Sequence, residues 1–328
     1  MVLDFESFRN SKMDSMGVVS SLASLSGALV SMVPSNSLAT GIAEKNIGLE
    51  AWMGRALELC SKVDEDWDAD KIHDLRVALR RSRAMAEGLA EVNPAPGWKK
   101  IKKSSRQLFH ALGDLRDVQV EKAWIQKLGR PGDPIRRHLL GVLSRQERRH
   151  RQGAERAIEE FDRKGWRRLC RKLSAKARFF PLESVVYQRL ALARLNDAVD
   201  LFQQARKKRS SFAWHRSRIG IKHFRYIVEN FLPQRYEVWA EDLKRLQDLL
   251  GEVHDLDVLR AEIRKQPAGL DPAGKAQWLA RIKNERQQRL EEVLSKNSAK
   301  DSPWIVWRAG FHWGHALVAA TFPQRRIA

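Results

Sequence analysis

One pattern of histidine and basic residues occurs twice in this chain, and its two copies dictate a fold made of related halves. Lys71-Ile72-His73-Asp74-Leu75-Arg76-Val77-Ala78-Leu79-Arg80-Arg81-Ser82-Arg83 is matched 142 residues later by Ala213-Trp214-His215-Arg216-Ser217-Arg218-Ile219-Gly220-Ile221-Lys222-His223-Phe224-Arg225. In both copies a His, an Arg, an Arg or Lys, and an Arg stand at offsets 0, 3, 7 and 10. A second element follows each copy: Leu112-Gly113-Asp114-Leu115-Arg116-Asp117-Val118 corresponds to Leu250-Gly251-Glu252-Val253-His254-Asp255-Leu256, at a shift of 138. Two elements in the same order at nearly the same shift predict an internal duplication, with halves at about 44–180 and 181–320.

The halves read as helix. Prolines stand at 94, 96, 131, 134, 181, 233, 267, 272, 303 and 323, and proline breaks helix interiors, so helices belong in the gaps. The gaps carry apolar residues at helical spacing, such as Leu75, Leu79, Ala86 and Leu89, or Leu243, Leu246, Leu249, Leu250 and Val253. Alternating β-branched runs are nearly absent. The spacing predicts helices near 44–63, 69–92, 98–128, 134–162, 165–177, 183–208, 211–231, 236–265, 272–295 and 303–320, joined by short loops: an all-α protein.

On a helix, offsets 0, 3, 7 and 10 fall within an arc of about 80° and span roughly 15 Å of rise. Each half therefore carries a narrow basic ladder. Ile72, Leu75 and Leu79 point to the neighbouring arc, at about 200–260°, so the ladder borders the packed face. Cations along a half-buried seam are costly unless counter-charge arrives. An anion with phosphate-like oxygens would supply it, because guanidinium forks bind such oxygens bidentately. The competing reading is that Asp117, Asp255 and nearby glutamates neutralise the arginines in ion pairs between helices. Gly113 and Gly251, each inside a long helix, imply close approach of another element. Asp117 and Asp255 are expected to orient an arginine or cap a bend, and not to touch the anion. Arg116 and His254 add one basic group per half, and Arg106 and Lys244 stand ten residues before them on the same side.

The overall charge points the same way. Sixty Lys and Arg against forty Asp and Glu give +20 over 328 residues. The first fifty residues are net −2 (Arg9, Lys12 and Lys45 against Asp4, Glu6, Asp14, Glu44 and Glu50), so the remainder holds +22. A field of that size selects a polyanion: nucleic acid, inorganic polyphosphate or an anionic membrane. Two cysteines, Cys60 and Cys170, exclude a disulfide framework and are expected as buried thiols. Residues 1–43 read as a flexible leader. Their Met16–Val33 run is too diluted by serine for a membrane span, and no stable membrane insertion is expected. Residues 321–328 read as a tail.

His73-x-x-Arg76-Val77-x-x-Arg80-Arg81-x-Arg83 and His215-x-x-Arg218-x-x-x-Lys222-x-x-Arg225-Tyr226 resemble the two signature helices of the conserved histidine α-helical domain, CHAD. Leu112-Gly113-x-x-Arg116-Asp117 and Leu250-Gly251-x-x-His254-Asp255 resemble that family's following motif, and the likeness spans about 44–320. His254 stands where an arginine is expected, and Ser82 and Ser217 where leucine is common. The resemblance implies two pseudo-symmetric four-helix bundles around a basic central cavity. It also implies binding of inorganic polyphosphate, with association to cytoplasmic polyphosphate granules. Carried onto this chain, the binding set is His73, Arg76, Arg80, Arg83, Arg106 and Arg116, with His215, Arg218, Lys222, Arg225, Lys244 and His254. Many relatives are fused to a triphosphate-processing domain with a Glu-x-Glu-x-Lys motif. That motif is not found here, so a standalone, non-catalytic binding module without cofactors is implied.

Other chemistry is poorly supported. The chain has no Gly-x-x-x-x-Gly-Lys-Ser/Thr loop and no His-Glu-x-x-His. His312 and His315, among Trp304, Trp307 and Trp313, read as terminal packing and not as metal ligands. The tryptophans sit mostly at apolar helical positions and read as core. The alternative function is an RNA- or DNA-binding protein using the same basic surface, which would share the steep salt dependence of a polyphosphate binder.

Overall fold

A computed structural model describes residues 48–65, 67–265, 271–297 and 302–311. The leader at 1–43, His312, Trp313, His315 and the tail at 321–328 lie outside them. Every element among the described residues is an α-helix: α1 (Leu49–Glu65), α2 (Ala69–Val92), α3 (Pro96–Ser104), α4 (Arg106–Leu128), α5 (Pro134–Glu159), α6 (Arg163–Ala177), α7 (Val185–Lys208), α8 (Ser211–Phe231), α9 (Pro233–Lys265), α10 (Pro272–Asn297) and α11 (Pro303–Ala309). The prolines do what their missing N–H allows: Pro96, Pro134, Pro233, Pro272 and Pro303 each open a helix. Side-chain caps reinforce several starts. Asp133 accepts from the backbone N–H of Ile135 and Arg136, Asp162 from Gly165, and Ser210 from Ala213.

Two expected elements differ. The helix expected over 303–320 stops at Ala309, with 310–311 in a turn and 312–320 outside the described residues. The single helix predicted over 98–128 is two helices, broken at Ser105. The guanidinium of Arg83 enters the break, donating to the Lys102 carbonyl at 3.0 Å and to Ser105 Oγ at 3.2 Å. Ser105 Oγ in turn donates to the Ile101 carbonyl at 2.7 Å. The matching stretch of the second half, within α9, stays continuous.

The helices pack chiefly as sequential neighbours: α1 on α2, α4 on α5, α7 on α8, α9 on α10. α2 also packs directly on α8, where Gly88 leaves room for Phe231: a Cβ at Gly88 would lie 2.4 Å from the ring. Two separate apolar cores result. The larger takes residues from both halves, including Leu75, Leu79 and Leu89 of α2 and Phe224, Val228 and Phe231 of α8. The smaller gathers Val118, Trp124 and Ile125 of α4, Ile135, Leu139 and Leu143 of α5, Leu256, Leu259 and Ile263 of α9, and Trp278 and Ile282 of α10. α4 and α9 thread both cores. Leu112 and Leu115 belong to the first and Val118 to the second, as Leu250 and Val253 belong to the first and Leu256 to the second. Between these residues stand Arg116-Asp117 and His254-Asp255, so the repeated second motif lies at the polar level between two apolar layers.

Cys60 and Cys170 are buried and form no disulfide, and Trp98, Trp166, Trp278 and Trp307 are fully buried, as expected. No described helix is long and apolar enough to cross a membrane.

Candidate functional site

α2 and α8 bring the two ladders face to face. The aromatic ring of Tyr226, on α8, takes one cation from each: Arg80 Cζ lies 5.9 Å and Lys222 Nζ 5.6 Å from its centroid. Arg76 and Arg218 complete the cluster, each leaning on a glycine of the second motif. A Cβ at Gly113 would stand 3.6 Å from Arg76 Nη1, and one at Gly251 would stand 4.0 Å from Arg218 Nε. The close approach inferred from these glycines is therefore that of a guanidinium laid over a helix backbone.

Counter-charge is scarce here. Among the described residues, none of Arg76, Arg80, Arg218 and Lys222 has a carboxylate oxygen within 4.0 Å. Arg76 Nη1 and Arg80 Nε are buried and donate to nothing. Asp117 attracts Arg76 and Asp255 attracts Arg218 from farther away, as equivalent pairs in the two halves. Burial, aided by Arg218, Arg80 and Arg76, pushes the Lys222 ammonium down to about 8. Burial lifts the Asp255 carboxyl to about 6, with Arg218 opposing and Asp117 and Glu252 adding.

The first rungs differ between the halves. His73 is exposed, and its imidazole is held below its usual range by burial of part of the ring and by Arg116. In the second half His254 replaces that arginine, and its Nδ1 lies 3.2 Å from Nδ1 of His215 in a histidine–histidine hydrogen bond. Burial, followed by Arg218 and His215, pushes His254 down to about 3, and burial with Arg218 and Lys222 lowers His215.

The last rungs are engaged elsewhere. Arg83 fills the helix break and lies 4.5 Å from the Phe109 centroid. Arg225 pairs with Glu229 at 3.7 Å and donates to the Tyr236 hydroxyl at 3.3 Å. Glu229 is buried and also takes Arg81. The interhelical ion-pair reading thus applies to Arg81 with Glu229, which Arg225 joins from within α8, and not to the four cations around Tyr226. Arg106 and Lys244 are exposed, and Lys244 pairs with Asp248 at 2.7 Å, so neither joins the cluster.

Tyr226 closes the second signature motif but is not in the expected binding set, and Phe109 is in neither. Tyr226 sits at offset 11 from His215, at about 20° on the helical wheel, beside the ladder arc. Phe109 underlies both Arg76 and Arg83. A cavity of 450 Å³ lies elsewhere, between α9 and α10, lined by Arg260, Arg264, Lys283 and Arg286 among others; no ladder residue lines it. The expected basic convergence is therefore a half-buried seam around Tyr226. Among the described residues, no group of three or more His, Cys, Asp or Glu is placed to hold a metal ion.

Comparison with known proteins places this geometry. No curated protein matches the chain. The crystal structure of the CHAD domain from the plant Ricinus communis superposes with a TM-score of 0.52 at 20% identity, covering 85% of this chain and 96% of that one, a likeness of fold. A sequence model of the CHAD domain matches residues 51–264, a span that holds both ladders, both glycine motifs and Tyr226; the chain belongs to the CHAD domain family.

Proposed function

We propose that this chain binds inorganic polyphosphate at the seam between α2 and α8, as a binding module and not as an enzyme. The observation that carries the reading is the set of four cations around Tyr226 that, among the described residues, have no carboxylate oxygen within 4.0 Å, two of them with buried N–H groups that have no hydrogen-bond partner there. Arg76 and Arg218 present guanidinium forks to phosphoryl oxygens, Arg80 adds a third, and Lys222 acts as a point charge. Asp117 and Asp255 hold Arg76 and Arg218 over their glycines. A linear chain of phosphates suits a narrow seam with cations on both walls, whereas duplex nucleic acid needs a broad face. Arg116 and His73 extend the path at one end. Arg83 and Arg225 serve it as positioning residues. The setting that follows from this reading is a polyphosphate granule in the cytoplasm.

The test is a titration of the full chain with long-chain polyphosphate, read by tryptophan fluorescence, beside Arg76→Ala/Arg218→Ala. Charge-assisted hydrogen bonds contribute about 1.5–3 kcal/mol each, so the double variant should bind at least a hundredfold more weakly with its helicity intact. Equal affinity of the two proteins would refute the assignment.

A further inference from the structure

Two neighbouring helices of the first half carry charge of one sign only. α6 holds seven Lys and Arg and no Asp or Glu, and α3 holds four Lys and no acid. They pack together, with a Cβ at Gly97 lying 2.7 Å from Leu173. Lys164, Arg167, Arg168, Arg171, Lys172 and Lys176 are all exposed, as are Lys99, Lys100 and Lys103. On α6 they stack at i and i+4, where like charges weaken a helix. The duplication does not repeat this face. The stretch of α9 matching α3 has Arg235 against Glu237, Glu241 and Asp242, and α11, in the place of α6, has Arg308 alone. The ladder is thus common to both halves, and the cationic face is an addition to one.

The segment that follows α6 is apolar and exposed. Phe179 is 81% exposed, Leu182 40%, Val185 44% and Val186 48%, all within one turn and the start of α7. Lys172, Lys176 and Arg178 precede them in the chain, all exposed, and Arg178 pairs with Glu50 at 3.0 Å. α6 itself does not offer lipid an apolar side, because Trp166, Cys170 and Leu173 point into the protein.

We propose that α6, α3 and the 179–186 turn form a peripheral docking surface for an anionic lipid bilayer: the cations rest on the headgroups and the Phe179–Leu182 tip enters the interface. Charge and apolar area together are what reversible surface binding requires. A nucleic acid would use the cations but would leave the four exposed apolar side chains without a partner.

The experiment is co-sedimentation of the full chain with phosphatidylcholine vesicles, with and without phosphatidylserine. Wild-type protein should sediment only with the anionic vesicles. Each basic residue near such a surface contributes about 1 kcal/mol, so Arg168→Gln/Arg171→Gln/Lys172→Gln should weaken binding on the order of a hundredfold. Phe179→Ser/Leu182→Ser should weaken it at least about tenfold while leaving its salt dependence unchanged. Arg76→Ala/Arg218→Ala should retain vesicle binding, which separates this surface from the polyphosphate seam whether or not that seam binds polyphosphate. Circular dichroism of each variant confirms the fold. The proposal is overturned if wild-type protein ignores anionic vesicles, or if the Phe179/Leu182 variant binds them as well as wild type. It is also overturned if the triple variant keeps its vesicles and loses duplex DNA instead.

Discussion

Replacing Lys222 by methionine separates a binding cation from a structural one. In the folded protein its ammonium is pushed from 10.5 down to about 8 by burial and by Arg218, Arg80 and Arg76. A depression of that size corresponds to about 3 kcal/mol of unfavourable charging. Partial solvent contact of the side chain reduces the working figure to about 1–2 kcal/mol. Below pH 8 both folded and unfolded chains carry the proton, so the full penalty acts on the folded state. Between pH 8 and 10.5 the unfolded chain holds more proton than the folded one, and stability rises with pH as the penalty disappears. Lys222→Met should therefore raise the stability of the anion-free protein at pH 7 by about 1–2 kcal/mol, measured by urea denaturation. Its advantage should shrink to nothing as pH approaches 10.5. The same variant should bind polyphosphate more weakly. It should also lose the uptake of about half a proton that polyphosphate binding causes at pH 8, seen by calorimetry in buffers of different ionisation heat. A cation held in place for the fold behaves oppositely. If Lys222→Met is less stable than wild type at pH 7, with a gap that does not change with pH, the reasoning about this site fails.

Two further outcomes follow. Glu229→Gln removes the buried carboxylate shared by Arg81 and Arg225, and stripping one partner from a buried pair costs about 3–5 kcal/mol; a loss below about 1 kcal/mol in urea denaturation would show that those arginines do not depend on it. Gly113→Ala meets Arg76 at an ordinary 3.6 Å, whereas Gly88→Ala meets Phe231 at 2.4 Å. The first should gain up to about 1 kcal/mol of helix stability and the second lose about 1–3 kcal/mol through overpacking, so thermal melts that rank the two the other way would contradict the packing of α2 on α8.

The helical class was legible because prolines and the 3.6-residue period agree along the chain, and most helix ends fall within a few residues of their expected places. The break at Ser105 was not legible. Trp98, Ile101, Ser105 and Leu108 are all buried at helical spacing straight through it, and only the tertiary placement of Arg83 shows where the ladder's last rung goes. The duplication marked α2 and α8 as equivalent. It carried no information that they touch, since that contact rests on Gly88 and Phe231, which lie outside the repeated motif. The counter-charges expected at Asp117 and Asp255 act at longer range, while the short ion pairs formed at Glu229. Local spacing selects a helix face but not which carboxylate reaches it.

The two apolar cores also make the molecule unequal in its resistance to opening. The smaller core draws on the ends of α4, α5, α9 and α10 and is joined to the larger through the level of Arg116 and His254. Opening of such a subunit costs less than global unfolding. Backbone amides of 118–143, 256–265 and 271–282 should exchange with solvent sooner than those of α2 and α8. A phosphate chain that bridges Arg116 to the ladder cations ties the two units into one, and its binding should slow exchange at the far end of the protein, in helices it never touches.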